Sequence, residues 1–146
     1  MKACTFFGHR ECPENIKVNL RETLVKLIEN ERVKIFYVGN QGRYDSIVRS
    51  TLRDLKKKYP NIEYSVVLAY MPGEHEVYEP EYYCETMLPE GIENVPKRFA
   101  ISWRNKWMLK QSDYVVAFVT HDWGGAAQFI NLAEKQGKNV INIAQN

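Results

Sequence analysis

The residues best suited to chemistry fall in four short stretches of the 146-residue chain. Gly8-His9-Arg10 follows an apolar run and sets an imidazole beside a guanidinium, a pair suited to an anion. The stretch from Gly39 through Asn40 and Gly42 to Asp45 is bounded by glycines and ends on a carboxylate. That carboxylate would either cap a following helix or accept hydrogen bonds from sugar hydroxyls. Arg104-Asn105 lies beside Trp103, where a guanidinium either packs over the indole or reaches a phosphate. The fourth stretch, His121-Asp122-Trp123-Gly124-Gly125-Ala126, joins two glycines to small residues. A helix starting there would offer unpartnered N–H groups and the positive end of its dipole, both of which favour a phosphate. For each glycine the competing explanation is a turn needed only for packing, and Asp122 fits an ordinary turn position. The glycine pair is not a Walker A loop, because no G-K-[ST] follows, and the dinucleotide fingerprint G-x-G-x-x-G is absent.

Regular elements must hold these stretches. Runs rich in β-branched and aromatic residues at Ala3–Phe7, Val33–Val38, Glu63–Ala69, Tyr114–Val119 and Asn139–Ile143 are nearly continuous in apolar character, the pattern of strands covered on both faces. Between them, Ile16, Leu20, Leu24, Leu27 and Ile28 form one helical stripe, and Val48, Leu52, Leu55 and Tyr59 form another. Phe99, Trp103 and Trp107, four residues apart, predict a third helix; Ala126, Phe129, Ile130 and Ala133 predict a fourth that ends at Gly137. The alternation predicts one α/β domain over residues 1–146, a three-layer sandwich around a mainly parallel five-stranded sheet. A Pro- and Glu-rich insert from Tyr70 to Lys97 is longer than a plain connection needs and is read as functional or mobile. In an open parallel sheet, ligands bind beyond the carboxyl ends of the strands, where the loops after strands one, two and four all fall.

Composition narrows the function. With 45% apolar and 26% charged residues the chain is a globular one, and a net charge of +2 gives no electrostatic case for nucleic acid. The apolar runs are too short for a bilayer and the start, MKACTFF, lacks a signal-peptide core, so a cytoplasmic protein with no membrane partner is expected. Cys4, Cys12 and Cys84 are odd in number and irregular in spacing, which argues against a disulfide framework and, with His9, against a metal site. No cofactor is implied.

The runs FFGHR, FYVGNQGRYD, RFAISWRNKWMLKQSDYVV, the GGA turn and the closing KNVINI resemble the YpsA-like small bacterial proteins of the SLOG superfamily. That superfamily also holds the LOG (Lonely Guy) phosphoribohydrolases and the Rossmann-like domain of DNA-processing protein A. The resemblance spans Ala3 to Ile143 and implies a Rossmann-like sheet of order 3-2-1-4-5, with Gly8-His9-Arg10 facing Gly124-Gly125-Ala126 across one crevice. It implies a nucleotide or nucleotide-derived ligand and leaves room for a homodimer. LOG enzymes cleave a nucleotide's N-glycosidic bond with an Arg from an R-K pair and a Glu from P-G-G-x-G-T-x-x-E. Here Arg104 matches the Arg, Asn105 replaces the Lys, and the Glu position is Asn131. An amide cannot act as that carboxylate. The leading expectation is therefore a nucleotide-binding sensor without LOG-type catalysis, its catalytic residues unknown, with Trp123 or a tyrosine of the insert stacking on the base. The alternatives are an N-glycosidic hydrolase or transferase using Asp45, Asp122 or an insert glutamate, and a protein-interaction module built on the acidic insert.

Overall fold

A computed structural model describes residues 1–70 and 85–145 of the chain. Its strands are β1 (Ala3–Gly8), β2 (Ile35–Val38), β3 (Glu63–Val67), β4 (Thr86–Met87), β5 (Tyr114–Phe118) and β6 (Asn139–Asn142), and its helices are α1 (Ile16–Glu29), α2 (Gly42–Lys58), α3 (Lys97–Gln111) and α4 (Gly125–Lys135). The sheet runs β4-β3-β2-β1-β5-β6, with every pairing parallel. Setting aside β4, this is the expected order 3-2-1-4-5 of a Rossmann-like sandwich. The correction is a sixth, two-residue edge strand inside the insert. Its two residues, Thr86 and Met87, are too few to show a period.

Strand β5 shows why the apolar runs are continuous. Tyr114, Val116 and Phe118 enter one core with α1 and α2, whereas Val115 and Ala117 enter a second core with α3 and α4. Successive strand side chains point to opposite faces, so a sheet covered on both sides needs apolar residues at every position. Helices α1 and α2 turn Leu20, Leu24, Leu52 and Leu55 fully inward, each burial worth roughly 2 kcal/mol relative to exposure. Lys56, Lys57 and Lys58 close α2, where the negative end of the dipole favours cations.

Helix α3 departs from its expected face. Phe99 is more than half exposed and Trp103 and Trp107 are only partly covered, while the buried positions are Ala100, Arg104, Met108 and Leu109. A guanidinium therefore occupies the inner face that the aromatic stripe was expected to mark. Half of the insert, residues 71–84, lies outside the described residues, and with it the glutamates and tyrosines of that stretch.

Candidate functional site

The chain leaves β1 for β2 on one side and returns to β5 on the other, so the sheet's switch point lies between β1 and β5. Their register aligns Cys4 with Tyr114 and Gly8 with Phe118. Beyond their carboxyl ends is a cavity of about 300 Å³. The end of β1 with His9 and Arg10 forms its floor, Gln41 and Asp45 one wall, Ile101, Arg104, Asn105 and Met108 a second, and Gly125, Ala126 and Phe129 a third.

The α2 wall is packed by the protein's own atoms. A Cβ at Gly8 would stand 2.2 Å from the Tyr44 ring. That ring is buried, and its hydroxyl donates to Val116 O at 2.8 Å. Gly42 takes φ +85°, a region that suits glycine, and a Cβ there would lie 2.8 Å from Arg10 Cα. Arg43 N donates to Arg10 O at 2.7 Å, joining this loop to the one after β1. Asp45 sits in the first turn of α2 and its Oδ2 accepts the Gln41 N–H at 3.0 Å, the helix-capping role. Burial lifts its pKa above the ordinary 3.8, against the opposing pull of the Gln41 N–H and of Arg104, Arg49 and Arg10.

Arg104 is 1% exposed. Its Nη1 donates to Val67 O at 2.8 Å and to Asn40 Oδ1 at 3.2 Å, and its Nε donates to Asn105 Oδ1 at 2.8 Å. All three acceptors are neutral. Among the described residues it makes no ion pair with a carboxylate. Burial lowers its pKa, and Asp45 and Tyr70 partly restore it; an arginine nevertheless keeps its charge. Gly39 closes this cluster from behind, where a Cβ would come within 2.8 Å of Asp45 Oδ2 and 3.1 Å of Arg104 Cζ.

The α4 wall is open. Gly124 takes φ +95°, while a Cβ on Gly125 would meet no atom within 4 Å. The first intrahelical bond runs from Gln128 N to Gly124 O at 3.1 Å, so the amides of 125–127 have no partner within the helix. His9 reaches this wall: its Nε2 accepts the Thr120 N–H at 2.9 Å, and its ring stacks on His121. Trp123 stacks on the far face of His121 and is 69% exposed.

The crevice thus gathers Gly8, His9, Arg10, Asp45, Arg104, Asn105, Gly125 and Ala126. Asn40, Gly39 and Gly42 support it from outside the lining, and Gly124 sets the entry to α4. Trp123 is largely exposed and lies outside the lining. Asp122 lines a neighbouring cavity of about 400 Å³ on the β6 side, together with Asn131 and Glu134. Sequence reasoning missed Ile101, Met108 and Phe129. The first two share a helix face with Arg104 and Asn105 at i, i+3, i+4 and i+7, a readable signal that the aromatic stripe obscured. Among the described residues no cluster of His, Cys, Asp and Glu is arranged to hold a metal, and no helix is long and apolar enough to cross a membrane.

No protein-family model matches the chain. No curated protein matches it in sequence either. Among solved structures it is similar to the X-ray structure of DNA processing protein A (DprA) from Streptococcus pneumoniae, with a TM-score of 0.65 and 14% identity over 96% of this chain and 49% of that one. The chain therefore spans about half the length of that neighbour. At such identity the likeness shows a shared fold alone, a Rossmann-like parallel sheet between layers of helices.

Proposed function

We propose that the β1/β5 crevice binds a phosphate-bearing nucleotide or nucleotide-derived small molecule and returns it unchanged. The observation that carries this reading is the convergence of a buried arginine, without a carboxylate partner among the described residues, and the open amino end of α4 on one cavity. A buried charge that Asp45 offsets only in part is costly to fold, and an anion seated between the two would offset more of it. The lining includes one carboxylate, Asp45, which can serve sugar hydroxyls through the oxygen that does not cap α2. Asn131, at the position of the LOG glutamate, lines the neighbouring cavity and not this one, which favours binding over LOG-type hydrolysis. On the same reading the chain is a YpsA-like bacterial protein of the cytoplasm, and a homodimer remains compatible with it. The neighbour's name ties that protein to DNA; with a net charge of +2 this chain has little general pull on a polyanion.

The raised pKa of Asp45 favours a second reading, because a carboxyl perturbed by burial inside a cavity is a frequent mark of acid–base chemistry. In that case Asp45 acts beside Arg104 on an N-glycosidic bond. Native mass spectrometry of the purified chain, followed by denaturation and calorimetry with a nucleotide panel, separates the readings. Stoichiometric binding of an intact nucleotide is the expected result. Release of free base would move the assignment to the enzyme, and no binding by any member of the panel would overturn both.

A further inference from the structure

His9 lines the crevice, and the simplest role for it there is a direct contact with the anion. Its hydrogen bonding assigns it another. Nε2 accepts the main-chain N–H of Thr120 at 2.9 Å, so this nitrogen carries no proton and the ring is neutral, with its proton on Nδ1. The main-chain N of His9 donates to Phe118 O at 3.2 Å, continuing the β1–β5 ladder to the last residue before the loop. The ring then lies flat on His121, with centroids 3.8 Å apart and planes 18° from parallel. His121 lies equally flat on Trp123, at 3.8 Å and 13°, and its Nδ1 is 2.8 Å from Trp123 O, so that nitrogen is the donor. Residues 120–123 are thus fastened to β1 through one acceptor nitrogen and a pile of three rings. The next residue is Gly124, whose φ of +95° turns the chain into α4.

We infer that neutral His9 is a positioning residue which holds the β5–α4 loop and so aims the amino end of α4 at the crevice, and that an anion bound there is released when this imidazole takes up a proton. A protonated Nε2 would set a donor against the Thr120 N–H and a cation against His121. Both the hydrogen bond and the stack that fix the loop would be lost. The inference rests on the crevice being an anion site, but it predicts the opposite pH dependence from a direct contact, since an imidazolium touching a phosphate would tighten binding in acid.

The groups around the ring set the range. His121 stacks on it from the β5–α4 loop and Phe118 of β5 meets it edge-on, while Arg10 follows it in the chain. Asp45 of α2 and Arg104 of α3 belong to the cavity's other walls, and α4 presents only Gly125, Ala126 and Phe129. Asp122, beside His121, lines the neighbouring cavity. Burial and then His121 hold the His9 pKa below 6.5. The loop therefore stays fastened at neutral pH and releases in mild acid.

The test uses sulfate, whose charge does not change over this range, with ¹⁵N-labelled full-length chain and the Gly125 and Ala126 amides as reporters. Between about pH 7.5 and 5, wild-type affinity should fall, by up to about tenfold per unit below the imidazole's pKa. The Thr120 amide should titrate with His9 whether or not sulfate is present. In His9→Gln the amide oxygen takes over as acceptor and cannot be protonated, so the sulfate affinity of the variant should lose its dependence on pH over this range. Affinity that rises in acid and disappears in His9→Gln would overturn the inference and make His9 a direct ligand. A Thr120 amide indifferent to His9 protonation would overturn it as well. Absence of sulfate binding at every pH would overturn the anion site itself, while the Thr120 titration would still decide whether neutral His9 holds the loop.

Discussion

Two glycine-bearing loops face each other across the crevice, and they use their glycines differently. On the α2 side the space a side chain would need is already taken: Tyr44 lies against Gly8, Arg10 against Gly42, and the Asp45–Arg104 cluster against Gly39. On the α4 side Gly124 is required by its backbone angle, but Gly125 has neither a positive φ nor a neighbour within 4 Å. A helix that could take alanine in its first turn at no steric cost has glycine instead, at the point where it lines the cavity. The difference teaches that one wall is filled by the fold's own atoms and the other is left open. Glycine motifs of similar appearance in a sequence thus divide into those that serve packing and those that leave room.

Filling each glycine breaks or sharpens this contrast. Gly8→Ala has the largest expected effect, because its methyl would collide with a buried ring anchored through Val116 O. A loss of about 3 kcal/mol is expected in urea or thermal unfolding; a loss under about 1 kcal/mol would mean that Tyr44 can move aside and that the α2 wall is less rigid than described. Gly124→Ala should cost about 1–2 kcal/mol through its left-handed backbone, without any collision. Unfolding midpoints of the two variants, measured side by side, would show whether the walls differ as proposed.

A smaller effect concerns Asp45. Its folded-state pKa lies above the ordinary 3.8, so the native state holds this proton more tightly than the unfolded chain does. Its contribution to stability is present in acid and is lost as pH rises from about 3.8 through the raised value. Asp45→Asn keeps an acceptor for the Gln41 N–H and removes the titration. Stability of the variant relative to wild type should therefore increase over that window and stay level above it, as read from unfolding midpoints across pH. The reverse slope would place Asp45 in a firm ion pair and would undercut the description of Arg104 as lacking one.

What the sequence revealed follows the same physics. The parallel sheet was legible because strands buried on both faces cannot alternate, and runs such as Tyr114–Phe118 record that directly. Asp45 as a capping residue was legible from its place just inside a glycine-led helix. The inner face of α3 was not, since arginine is rarely buried and three aromatics at helical spacing looked like the core side. Arg104 is inside because main-chain and amide oxygens from β3, the β2–α2 loop and α3 itself meet it there, contacts that depend on sheet order and not on spacing. The bond between His9 and Thr120 was hidden for a like reason: it joins residues 111 positions apart and exists only because β1 and β5 are neighbours.

The most direct test of the central claim is Gly125→Ala, read both for stability and for binding of whichever nucleotide the native protein retains or the panel identifies. The account predicts a fold as stable as wild type or up to about 1 kcal/mol more stable, as alanine is the better helix former. It also predicts a loss of affinity of tenfold or more, about 1.4 kcal/mol, because the new methyl stands where the ligand must approach the helix. An alanine variant that binds as well as wild type would contradict the account, for the open α4 wall would then not be where the ligand sits.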